Sequence, residues 1–288
     1  PITSAIVFDL GANNLGTLTM NRGSETLTLG TDLNIATALV ITAGTVSNGG
    51  NIIDGSTGAA LNLAAGSNLT LNGTTTFPTF TSETIDRTST VEYAGGVQSV
   101  AVKDYGHIKF SAADVKSLAG PGGSLAGEMS ITAGTFNMGD HAFTFKSDAT
   151  GTAQLLEITS ADNPALLNAT NVTVERYVEG ASGFRIFSPP GTGATIADYN
   201  NEIAMSGPTL VGSNDDSPTS WPSTYMYNQG TLTGSDLDAD SGWYNPTNVS
   251  QTIQHTSDVV AASASATAGI ATYLTTITTA STPMPLTT

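Results

Sequence analysis

The stretch Ile131-Thr132-Ala133-Gly134-Thr135-Phe136-Asn137-Met138-Gly139 has a near twin about ninety residues upstream, Ile41-Thr42-Ala43-Gly44-Thr45-Val46-Ser47-Asn48-Gly49. Both read Ile-Thr-Ala-Gly-Thr, then an apolar residue, two small or adaptable residues, and Gly. The flanks keep the same order. Ile6-Val7-Phe8, Leu18-Thr19-Met20 and Leu27-Thr28-Leu29-Gly30 precede the first copy; Val91-Glu92-Tyr93, Ile108-Lys109-Phe110 and Leu118-Ala119-Gly120 precede the second. Self-similarity at a fixed period is the signature of a repeat architecture. The repeats run over about residues 4–50 and 90–140.

Around these copies the chain is written in short alternating segments. Thr17-Leu18-Thr19-Met20, Leu61-Asn62-Leu63, Asn68-Leu69-Thr70-Leu71 and Ser99-Val100-Ala101-Val102 all have period two, which buries one face of a strand and wets the other. Thr on the wet face favours strands in its own right. Asn48-Gly49-Gly50, Asn72-Gly73, Gly95-Gly96 and Gly120-Pro121-Gly122-Gly123 supply the turns. The best helical stretch, Ala112 to Leu118, is short and ends near Gly120. The fold class is therefore all-β: a repetitive β-solenoid, or tandem β-sandwich modules, followed by a second β domain. The scarcity of clean two-residue hairpin turns favours the solenoid. In a solenoid each rung covers the next, and Asn or Thr can ladder at the corners. Leu29, Ile41, Leu63, Leu71, Ile131 and Phe136 are the expected core.

Residues 1–170 form the repetitive Gly/Thr/Asn-rich domain. Near Asn171 the character changes: Val172-Thr173-Val174-Glu175-Arg176-Tyr177-Val178 is a strong strand, and aromatic residues and prolines become denser. Residues 171–288 read as a sandwich-like β domain with a Thr/Ala/Ser-rich tail.

Charged residues make up only 11% of the 288 residues, and the formal net charge is −16. With 8 Lys+Arg against 24 Asp+Glu there is no basic stripe for nucleic acid, and anionic membranes are disfavoured too. No run approaches the ~20 apolar residues of a membrane span. The chain has no cysteine, which excludes disulfides and Cys-based zinc sites. Pro1 is not an initiator Met, and the chain reads as a mature or trimmed product.

Candidate sites are few. Asp236, Asp238 and Asp240 alternate in a turn ending at Gly242, where carboxylate oxygens can converge on one calcium ion. The spacing departs from the EF-hand loop, since Thr247 stands where the bidentate Glu belongs. No other cofactor is expected. His107, His141 and His255 are scattered, and no Gly-x-Ser-x-Gly elbow or opposed carboxylate pair stands out. Trp221, Tyr225, Tyr227, Trp243 and Tyr244 could stack on sugars or pack between strands. For self-assembly the candidates are Ile6, Val7 and Phe8 at one end and Ile270, Tyr273 and Ile277 at the other, which would pair head to tail between subunits.

The stretch from Gly134 to Ala149 resembles the repeats of large surface proteins of Bacteroidota. So does the Thr173-Val174-Glu175-Arg176-Tyr177 strand followed by Arg185-Ile186-Phe187-Ser188-Pro189-Pro190. The resemblance implies export by the type IX secretion system and a place at the cell surface. A C-terminal sorting domain usually accompanies that route, and the tail has no recognisable one. The combined expectation is a non-enzymatic extracellular structural protein, either a surface adhesin segment or a self-assembling filament subunit. The alternative is a carbohydrate-binding module or polysaccharide-active β-helix. The expected partners are further copies of the chain, and surface glycans under the alternative.

Overall fold

The computed structural model describes residues 14–74, 76–161, 165–177, 183–187, 195–200, 205–206, 210–213, 223–228, 243–251, 253, 267–274 and 286–287, with the backbone alone described at 183–187, 227–228, 243–244, 267–274 and 286–287. Two compact units divide the chain, Pro1–Val172 and Thr173–Thr288.

The first unit is a β-solenoid of about 6 turns. Its opening strands are long: β1 (Asn14–Thr28) lies parallel to β2 (Leu33–Ser47). Three short strands, β3 (Ile53–Gly55), β4 (Ala60–Leu63) and β5 (Asn68–Leu71), lie along successive thirds of β2. Thus β2 passes through all three faces of a rung. The chain then continues as β6 (Ser82–Ile85), β7 (Thr90–Tyr93), β8 (Gln98–Val100), β9 (Asp104–Tyr105), β10 (His107–Phe110), β11 (Val115–Leu118), β12 (Gly123–Leu125), β13 (Glu128–Ile131), β14 (Thr135–Asn137) and β15 (Phe143–Phe145). A two-strand antiparallel clip, β16 (Ser147–Asp148) with β17 (Gly151–Thr152), leads to β18 (Gln154–Leu155), β19 (Leu166–Leu167) and β20 (Val172–Val174).

The first face stacks β5, β7, β10, β13 and β18, and the second stacks β8, β11, β14 and β19. The third holds β4 and β6 beside β2, then β9, β12 and β15 in a separate sheet. These pairings are parallel, which sandwich hairpins would not give, so the solenoid reading holds and the tandem-sandwich one does not. The rung length varies. Val91 pairs with Leu69, 22 positions before it, and with Ile108, 17 positions after it.

Alternation supplies the core. On the first face Val46, Leu69, Val91, Ile108 and Met129 are in register and buried. A second column reads Leu71, Tyr93, Phe110 and Ile131. Phe110 stacks on Tyr93 at 5.9 Å and on Phe136 at 4.4 Å between ring centroids, in offset geometries that add to area burial. All six residues expected in the core, Leu29, Ile41, Leu63, Leu71, Ile131 and Phe136, are buried.

The twin stretches have a different meaning from the one their spacing suggests. Ile131 ends a first-face strand in register with Phe110, whereas Ile41 ends a third-face segment in register with Leu63. The copies are out of phase by one face, so they are not equivalent points of one long module. What they share is a corner. Gly44 and Gly134 have φ of +86° and +72°, a region open to Gly at little cost. A Cβ on Gly44 would collide with the Arg22 carbonyl oxygen, and one on Gly134 with the carbonyl oxygens of Ala112 and Asp114. The Ala112–Leu118 stretch forms a corner followed by β11, not a helix.

In the second unit β21 (Gly183–Phe187), α1 (Ile196–Asn200), β22 (Thr224–Asn228), β23 (Trp243–Tyr244), β24 (Thr267–Leu274) and β25 (Leu286–Thr287) follow in order. An antiparallel sheet runs β21-β24-β22-β23. This corrects one self-assembly expectation. Ile270 and Tyr273 stand on β24, which pairs with β21 on one side and β22 on the other. Both of its edges are used within the chain, so it offers no free edge to a second subunit. Ile6, Val7, Phe8 and Ile277 lie outside the described residues.

Candidate functional site

Most of the solenoid interior is hydrocarbon. The third face departs from this between β6 and β9. Leu39 pairs with Leu61, and Leu61 with Glu83, so the apolar column passes into a carboxylate. The sheet breaks there, and β9 is only two residues long. Lys103, just before β9, closes the gap with its Nζ 2.6 Å from Glu83 Oε1. Both side chains are largely covered. The Lys103 ammonium also lies 5.3 Å from the Phe77 ring centroid, within cation–π range. Phe77 and Pro78 are buried and come from the turn segment between β5 and β6, where the second face has no strand.

Two phenols lie behind this pair. Tyr93 and Tyr105 are buried with their hydroxyl oxygens 2.8 Å apart. Tyr105 donates to the Ala101 carbonyl at 2.7 Å, and the Ala101 amide donates to the Tyr93 oxygen at 3.2 Å. Burial pushes Tyr93 up to about 12, aided by the Glu83 charge. Burial, Tyr93 and Glu83 hold Tyr105 well above the usual tyrosine value. Both phenols stay protonated at neutral pH and serve as hydrogen-bond donors, not bases. The seam is thus an ionic and hydrogen-bonded brace across a break in the sheet.

A second inward charge is Lys116 on β11, in register with Gln98 and Phe136 and fully buried. Its ammonium donates to the carbonyl oxygens of Ala112 and, at 2.6 Å, Ala113. On the preceding rung Gln98 acts in a similar way, accepting from the Gly95 amide at 2.9 Å and donating to the Leu71 carbonyl at 3.1 Å. At another rung Asn48 Oδ1 accepts from the Asn72 amide at 2.7 Å, the corner laddering expected of Asn. These groups satisfy backbone atoms that the corners would otherwise leave unpaired.

Outward-facing charges tie rung to rung. Lys109 reaches Glu92 at 2.9 Å, Arg87 reaches Asp148 at 2.9 Å, and Lys146 reaches Asp104 at 3.3 Å. Burial works against ionisation of Glu92, but hydrogen bonds from Ser111 and Lys109 outweigh it and leave its carboxyl below the usual range. A hydrogen bond from Ser124 holds Asp104 low.

The remaining sequence candidates are not brought together. His107 Nδ1 accepts the Glu128 amide at 2.9 Å, and His141 sits at a corner elsewhere. Among the described residues no group of three or more His, Asp or Glu side chains could hold a metal. Asp236, Asp238, Asp240, His255 and Trp221 lie outside those residues. The β22–β23 ladder pairs Tyr227 with Trp243 and Met226 with Tyr244 in register. The Glu83–Lys103 seam was missed by sequence reading, although a carboxylate alternating with Ile85 was its visible signal.

Among known proteins no family model matches this chain, and no curated protein or solved structure matches it either.

Proposed function

We propose that this chain is a non-enzymatic structural protein of the cell surface or extracellular space, an adhesin segment or the subunit of a filament. One observation carries the reading. The chain has only 8 Lys and Arg residues, and Arg87, Lys103, Lys109 and Lys146 each pair with a carboxylate on another rung. Among the described residues these four cations act as ties between rungs of the solenoid. Each tie contributes little alone, ~0–1 kcal/mol where exposed. Together they resist sliding of rungs, a property suited to a spacer or stalk. The acidic surface and lack of cysteine fit an exported protein that needs neither disulfides nor an anionic partner.

Antibody labelling and protease shaving of intact source cells test the location. Labelling only after lysis would overturn it. Micrographs of the purified chain then separate filament from adhesin segment.

A second reading, carbohydrate binding, draws on Tyr227 and Trp243 standing at paired register positions of the β22–β23 ladder. Glycan-array signal lost on Trp243→Ala would favour it, and an array blank for the unmodified protein would remove it.

A further inference from the structure

We infer that the Arg176–Tyr177 peptide bond is a processing site, cut by a protease that takes a cationic side chain in its specificity pocket. Such a site lies beyond the proposed function and does not depend on it.

A protease of this class reads only Lys and Arg, and the chain has 8 of them. It binds its substrate in an extended form. The scissile peptide must first leave whatever holds it, so cleavage follows the population of the opened form. Exposure of the side chain is therefore not enough; burial and hydrogen bonding of the surrounding backbone decide.

Five of the eight cations belong to the middle rungs of the solenoid, and all five are held. Arg87 is tied to Asp148 at 2.9 Å and to Thr150 at 2.8 Å. Lys103 pairs with Glu83, and its carbonyl accepts from the Ser124 amide at 3.0 Å. Lys109 pairs with Glu92 and stands in β10, which has β7 on one side and β13 on the other. Lys116 is 0% exposed, with its ammonium turned onto the carbonyl oxygens of Ala112 and Ala113. Lys146 pairs with Asp104, its amide donates to the Leu125 carbonyl at 2.8 Å, and its own carbonyl accepts from the Ala153 amide at 2.8 Å. Cutting beside any of these means opening a rung, and an opened rung uncovers its neighbours in the stack.

The other three are Arg22, Arg176 and Arg185. Arg22 is exposed but lies inside β1, and its carbonyl oxygen is packed so closely on Gly44 that a Cβ there would collide with it. Arg185 stands in β21, paired with Thr272 of β24. Arg176 differs on each count. β20 ends at Val174, so Arg176 stands outside any strand, and its side chain is exposed. No carboxylate among the described residues pairs with it. It also follows closely on Val172, the last residue of the first compact unit. Exposed connections at such boundaries are where folded chains are nicked.

The reaction is a hydrolysis. Water adds across the Arg176–Tyr177 amide, leaving a carboxylate on Arg176 and an amine on Tyr177. The products are residues 1–176, which keep all five held cations, and residues 177–288, whose one remaining cation is Arg185.

The test uses the full chain. Trypsin is added at low ratio, and the first products are weighed by intact mass spectrometry. The expected pair is 1–176 and 177–288, formed before any cut between Arg87 and Lys146. Arg176→Gln should slow the loss of full-length chain at least ~10-fold, because the remaining sites must open first. Digestion in urea should expose the five held positions and so show that protection belongs to the fold. A first cut elsewhere, or an unchanged rate for Arg176→Gln, overturns the site. Protein taken from source cells without added protease is then mapped with an enzyme of different specificity. Chains ending at Arg176 or beginning at Tyr177 are expected. Native chains that all span the bond overturn the processing role, whatever trypsin does to the purified protein.

Discussion

Truncating Ile131 to Ala removes three carbons from the buried first-face stack. Ile131 is fully buried, lies in register with Phe110, and follows Met129 on the same strand. At ~0.8 kcal/mol per buried CH₂ the transfer loss is ~2.4 kcal/mol. A cavity term comes on top, and its size depends on whether the neighbours can close in. Here they are poorly placed to do so. The rungs above and below are fixed ~4.8 Å apart by ladder hydrogen bonds, and Phe110 is held between Tyr93 and Phe136. The total should fall in the upper part of the usual range, ~3.5–5 kcal/mol.

Urea unfolding followed by far-ultraviolet circular dichroism measures the change as a midpoint shift at constant slope. Ile131→Val should cost ~0.5–1.5 kcal/mol at the same position. Val115→Ala, on an exposed side chain of β11, should stay within ~0.5 kcal/mol. A loss under ~1 kcal/mol for Ile131→Ala would refute the claim that rung spacing is rigid. A fall in the slope would mean that rungs had uncoupled into separate transitions, which a one-dimensional stack permits.

Gly134→Ala should destabilise by ~2–5 kcal/mol, from a positive-φ strain and a Cβ driven into the rung beneath; a loss under ~1 kcal/mol would mean that the corner has slack. At the seam, a double-mutant cycle of Glu83→Gln and Lys103→Met should give a coupling of ~1–2 kcal/mol, between exposed and buried pairs, and additive effects would show that the pair is only incidental. Alkaline pH should unfold the protein through its phenols. Unfolded tyrosine ionises near ~10, whereas Tyr93 is pushed up to about 12. Its contribution is therefore complete below ~10 and lost as pH rises toward the folded value. A melting temperature that stays flat from pH 9 to 12, in a titration followed by tyrosinate absorbance, would contradict this. Calcium, if held by Asp236, Asp238 and Asp240, should raise the melting temperature by mass action, and Asp238→Asn should abolish the rise; identical curves in calcium and in chelator would remove that site.

The inward residues were legible because period two is a local property. Leu61-Asn62-Leu63 or Asn68-Leu69-Thr70-Leu71 declares its buried face whatever lies above it. The rung was not legible, because its length is set at corners whose size varies. Steps of 22 and 17 residues around Val91 leave no constant period for the eye to find. The longest identical run, Ile-Thr-Ala-Gly-Thr, is the conspicuous repeat instead. That run repeats because two corners impose the same demand: a ladder segment that ends on an apolar residue, a left-handed Gly pressed against the neighbouring rung, and a ladder segment with the next partner. The likeness of the two stretches thus records a shared turn and not a shared place in the fold.

The same missing length hid the seam. Alternation in Ser82-Glu83-Thr84-Ile85 already sets Glu83 on the side of Ile85, an unfavourable place for a lone carboxylate. Its partner Lys103 stands 20 positions later, one rung away in this region of the solenoid. Without the rung length those two residues look scattered; with it, each explains the other. Sequence can state which side of a strand is apolar, but whether that side is covered depends on the neighbour, which is a property of the stack.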